Sequence, residues 1–74
     1  MDPLQASIKL AISQYFTNLE GADANNLYEL LMNKVERPLL ETVMAHANNN
    51  QSKAAQWLGL SRNTLRKLLA KYGL

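Results

Sequence analysis

Apolar residues recur along the chain at i, i+3, i+4 and i+7, the spacing that gives a helix one buried face, and they fall into four runs. In the first run Leu4, Ile8, Ala11, Ile12, Tyr15, Phe16 and Leu19 keep to a single stripe. A helix over about residues 3–19 is predicted, with Pro3 in its first turn and Asp2 as its cap. Gly21, Ala22 and Asp23 make the connection. Asn26, with Glu29 three residues on, resembles a capping box in which Asn stands for the usual Ser or Thr. From Leu27 to about Ala47 one long helix is predicted. It carries Leu27, Leu30, Leu31, Val35, Leu39, Leu40, Val43 and Met44, with Tyr28 and Met32 alongside. Pro38 should kink this helix and not end it, because the apolar pattern resumes at once.

The stretch from Gln51 to Ala70 reads as two short helices joined by a tight turn. Asn50, last of the three asparagines 48–50, can cap the first, whose inward face is Ala54, Ala55 and Leu58. Gly59 ends it where a positive φ is wanted, Leu60 plugs the turn, and Ser61 caps the next helix. That helix turns Leu65, Leu68, Leu69 and Tyr72 inward and leaves Arg62 and Arg66, one turn apart, facing out beside Asn63 and Lys67. An α-helix fits the major groove of B-DNA, and arginine can donate two parallel hydrogen bonds to guanine. A helix-turn-helix sets its second helix in that groove with the N-terminal residues nearest the bases. The competing reading is a helical hairpin whose outer face is merely hydrated; turn, core spacing and charge agree on the DNA-binding one.

Charge sharpens that picture. Residues 1–45 carry a net −3, whereas residues 46–74 hold Lys53, Arg62, Arg66, Lys67 and Lys71 with no acid, a net +5. A field of one sign at one end is what a polyanionic partner requires. The 74 residues make one small domain, and a chain of this size buries only about 60% of its unfolded surface. With no cysteine there is neither a disulfide framework nor a thiolate nucleophile or metal ligand. No run approaches the roughly 20 apolar residues of a membrane span and no signal-peptide pattern opens the chain, so an intracellular soluble protein is expected.

The remaining candidates have plainer readings. Tyr15 and Phe16 lie on the apolar stripe and are expected in the core. His46, the single histidine, sits at a helix C-terminus, where it favours the dipole; no second ligand or acid–base partner lies at useful spacing. Neither a metal nor another cofactor is expected. Trp57 is ambiguous: packing between the helix-turn-helix and the long helix is one place open to it, and nothing supports a catalytic role. No nucleophile or acid–base pair converges on a pocket, so the chain does not read as an enzyme. After Pro38 the apolar face of the long helix shifts, leaving more apolar surface than the first helix can cover. A symmetric homodimer would bury the surplus through Ile8, Ile12, Leu27, Leu30, Leu31, Leu39 and Val43. A protein-interaction module using the same face is the alternative.

With these residues in place, the sequence resembles the Fis family, bacterial nucleoid-associated proteins that bend DNA. The matching segments are Asn26-Leu-Tyr-Glu-Leu30, Val35-Glu-Arg-Pro-Leu-Leu40, Asn50-Gln, Ala54-Ala55, Arg62-Asn-Thr-Leu-Arg-Lys67 and Lys71-Tyr-Gly73. From Pro38 onward the C-terminal domain of bacterial enhancer-binding activators looks similar, although those domains belong to much longer chains and this one starts at Met1. The resemblance implies an all-α fold with four helices per subunit, the first two interlocked between chains. One domain over 1–74 is expected, with dimerisation helices in 1–47 and the helix-turn-helix in 48–74.

By the same resemblance Arg62 would reach a guanine near each end of the site. Thr64, Arg66, Lys67, Asn50, Ser52 and Lys53 would contact bases or backbone around it, with Ser61 and Asn63 at the start of the same helix. Lys71, near the far end, would hold a phosphate. In the family the reading helices lie closer than one DNA turn, so bound DNA must bend and its central minor groove narrow. Nucleoid organisation and transcriptional control in the bacterial cytoplasm follow, with RNA polymerase as a further partner the resemblance admits. The family usually has asparagine at position 61, a basic residue at 48 and lysines at 68 and 70, where this chain has Ser61, Asn48, Leu68 and Ala70. Fewer flanking cations imply less wrapping of DNA. Longer members carry an N-terminal β-hairpin arm that activates recombinases; this sequence starts at the first helix, so recombinase activation is not expected.

Overall fold

The computed structural model describes residues 2–74. Four helices follow one another: α1 (Pro3–Asn18), α2 (Leu27–His46), α3 (Gln51–Leu58) and α4 (Arg62–Lys71). There is no strand among the described residues. No helix among them is long and apolar enough to cross a membrane. The first helix starts as its sequence predicts: Asp2 is extended and its carboxylate accepts from the Gln5 amide at 2.9 Å, with Pro3 behind it.

The start of α2 differs from expectation. Asn26 lies in the left-handed region (φ 55°) and its side chain makes no capping bond, so there is no capping box. Capping requires an extended residue whose side chain folds back over the first turn, and a left-handed Asn26 offers only its carbonyl, which accepts from Leu30 at 3.0 Å. The helix runs on through Pro38 to His46.

Burial divides α2 into two halves. Leu40 is buried and Val43 and Met44 partly so, packed with Ala47, Ala54, Ala55, Leu65 and Leu69 into a core shared by α2, α3 and α4. Val43, expected at an intersubunit face, packs against this core with part of its surface still open. Before Pro38 the apolar residues stay open: Leu30 and Val35 are exposed, as is Leu39 just beyond, while Leu27 and Leu31 are half-covered. Leu27, Leu30 and Leu31 border a shallow cleft with Ala11, Ile12 and Tyr15 of α1. No residue of α1 is buried. The expected core pair is therefore not in a core of this chain: Tyr15 is half-buried and Phe16 exposed, their rings edge to face at 5.8 Å. One helix cannot enclose a stripe that only another helix could cover.

Candidate nucleic-acid interface

Local chemistry builds the α3–turn–α4 unit. Asn50 is extended and its side-chain oxygen accepts from Lys53 N at 3.1 Å, fixing the start of α3. Gly59 ends that helix at φ 73°. The Leu60 amide reaches back to the Ala55 carbonyl at 2.9 Å and that of Gly59 to Gln56 at 3.2 Å, the paired bonds of a Schellman stop. The same pair closes α2 around left-handed Asn48 and α4 around Gly73. Ser61 Oγ accepts from Thr64 N at 3.1 Å and donates to Thr64 Oγ1 at 2.9 Å. Both hydroxyls, expected at DNA, are thus already engaged with each other at the N-terminus of α4.

Leu65 is fully buried and Leu69 nearly so, while Leu68 and Tyr72 are half-buried. This fixes the rotation of α4 about its axis. Arg62, Asn63, Arg66 and Lys67 consequently lie on the exposed side, and Ser52 and Lys53 are exposed on the first turns of α3. No acidic side chain among the described residues pairs with Lys53, Arg62, Arg66 or Lys67. These four cations are free for an external anion.

Trp57, whose place the sequence leaves open, is 55% exposed. It shares the outer face of α3 with Lys53, whose ammonium lies 5.9 Å from the ring. The buried face of α3 is Ala54 and Ala55, and Trp57 lies off it. Lys71 is exposed but turns back to α2, its ammonium 3.5 Å from Glu36 and over the Tyr72 ring.

Sequence reasoning missed the cluster around that ion pair. The Tyr72 hydroxyl meets the Glu36 carboxylate and lies 3.1 Å from Asn33 Oδ1. Arg37 Nη1 donates to the Tyr72 carbonyl at 2.9 Å. The Tyr72 hydrogen bond, helped by Lys71 against partial desolvation, holds the Glu36 carboxyl below its usual range. Desolvation and the neighbouring carboxylate push the Tyr72 phenol up. Desolvation opposes charge on Lys71, but Tyr72 and Glu36 outweigh it and raise that ammonium. The partners are 36 and 39 residues apart, and local patterns carry no trace of them.

Residues 32–72 match the sequence profile described as bacterial regulatory protein, Fis family. Similarity to individual proteins extends through α1 as well. The DNA-binding protein Fis of Proteus mirabilis is 51% identical over 72 residues, covering 97% of this chain and 74% of that protein. The DNA-binding protein Fis of Escherichia coli is 50% identical over the same shares, and that of Actinobacillus succinogenes 50% identical over 73% of its length. The chain belongs to the Fis family. Membership places it among bacterial regulatory proteins and not among enzymes.

Proposed function

We propose that this chain is a homodimeric DNA-binding and DNA-bending protein, tolerant of sequence, that acts in nucleoid organisation and transcriptional regulation. The observation that carries the reading is the outer face of α4, where Arg62, Asn63, Arg66 and Lys67 stand unpaired on a helix held from behind by Leu65 and Leu69. In this reading α4 enters the major groove, Arg62 meets a base edge, and Lys53 with the amides at the start of α3 grips a phosphate. The relatives' name, DNA-binding protein Fis, agrees. Residues 1–47 serve dimerisation and 48–74 DNA binding, and the open stripe of α1 and of the first half of α2 supports the dimer. Two recognition helices related by a two-fold would bend the duplex and favour flexible central steps. The protein would reside on the bacterial nucleoid, with RNA polymerase as a second partner at promoters.

A salt titration on selected and random duplexes, with stoichiometry measured alongside, tests this. If Lys53, Arg66 and Lys67 of both subunits meet phosphates, about six are neutralised and the log–log slope should be roughly −5. A slope near −2 would move binding away from this face.

A further inference from the structure

The C-terminal turn of α4 is joined to the middle of α2 by a polar cluster outside the apolar core. Asn33, Glu36 and Arg37 stand at i, i+3 and i+4, on one face of α2. Opposite them the end of α4 presents the Tyr72 hydroxyl, the Tyr72 carbonyl and the Lys71 ammonium, each within reach of one or more of the three. The core beneath consists of leucine and alanine side chains. Such packing holds helices together, but it is non-directional, whereas hydrogen bonds fix an orientation. The cluster spans the junction between the half of α2 with the open apolar face and the helix with the free cations.

We infer that these residues form a strut that fixes the angle of α4 against α2, with Tyr72 and Arg37 as positioning residues that set the half-site spacing the protein accepts. The inference rests on the reading above of a DNA-binding homodimer. Leverage is what makes the angle matter. Arg62 lies nine residues from Lys71, about 14 Å along the helix. A tilt of about 10° at the anchored end would carry Arg62 about 2.4 Å, and a two-fold doubles that to about 5 Å, beyond the ~3.4 Å step between base pairs. A slackened strut would therefore blur the register between the two reading helices without removing any side chain from the DNA face. Lys71 contributes to this strut as a partner of Glu36, which distinguishes it from the four free cations.

Distances between nitroxide labels test the strut directly, since the chain has no cysteine of its own. Labels at Glu29→Cys on α2 and Ala70→Cys on α4, in labelled chains diluted with unlabelled protein, report the angle within one chain. Tyr72→Phe removes only the hydroxyl, and Arg37→Gln alters a side chain half in solvent whose loss leaves the core untouched. Both should broaden the distance distribution. Each should also lower the preference of a wild-type-selected duplex over the same duplex with one central base pair inserted, by at least about fivefold, the discrimination of one well-placed base contact. Affinity for random duplex should hold. Distributions as narrow as wild type in both variants would overturn the strut, and so would broadening with an unchanged spacing preference. If wild type selects no duplex at all, the proposed function fails, and the label distances still decide whether the strut exists.

Discussion

At the scale of single residues, reading DNA and holding it should separate. Arg62 follows the Ser61 cap, where side chains enter the groove, so Arg62→Ala should cost about 1–3 kcal/mol per half-site and relax preference at one base. Lys67→Ala should weaken selected and random duplexes alike and make the salt slope shallower by about one for each lysine lost. The ratio of selected to random affinity decides; if Lys67→Ala lowers it while Arg62→Ala does not, the groove-facing side of α4 is misassigned. Lys71, expected to hold a phosphate, makes an ion pair with Glu36 in the free chain. Glu36 has its own signature. Its carboxyl titrates near 4.5 when unperturbed and lower when folded, so its stabilisation is complete above that value and fades as the pH falls through the depressed one. Melting temperatures of wild type and Glu36→Gln should therefore differ at neutral pH and converge in acid; a gap that persists at pH 2 would contradict this. The caps at Asp2, Asn50 and Ser61 could be read from sequence because each depends on residues three apart. The partners of Lys71 and Tyr72 could not, because they meet only once the helices have packed.

At the scale of elements, the turn between α3 and α4 depends on one backbone conformation. A Cβ on Gly59 would meet nothing within 4 Å, so its left-handed φ is the sole obstacle to a side chain. Gly59→Ala should then lower stability by about 1–2 kcal/mol in a denaturant titration. Gly59→Asn should lose less, since asparagine tolerates that region, as Asn48 and Asn49 do here. Equal losses for both would mean that something other than φ is at stake. The order and extent of the four helices were legible because apolar spacing and helix stops are local signals. The entry into α2 was not: Asn26 and Glu29 have the letters of a capping box, but the left-handed turn at Asn26 takes its side chain out of reach. Trp57 was ambiguous for a related reason. Hydrophobicity argues for burial, but two alanines already fill the space against α2 and α4, and the indole takes the outer face.

For the molecule as a whole, the uneven distribution of the core matters most. Among the described residues all six buried ones lie from Leu40 onward, and α1 contributes none. If a second copy covers α1 and the first half of α2, folding and association are one equilibrium, and the melting temperature should rise with protein concentration. A folded monomer in sedimentation at micromolar concentration would refute that coupling. The same asymmetry bears on the lifetime of the protein in a cell. A lone chain exposes Leu4, Leu10 and Phe16 on a helix that buries no residue, followed by a connection that includes left-handed Glu20 and Gly21. Proteases act on backbone that opens to them, and its open fraction governs the rate. Dilute chains would then be degraded faster than paired ones, so clearance would accelerate as the protein becomes scarce and its level would fall abruptly, not in proportion to synthesis.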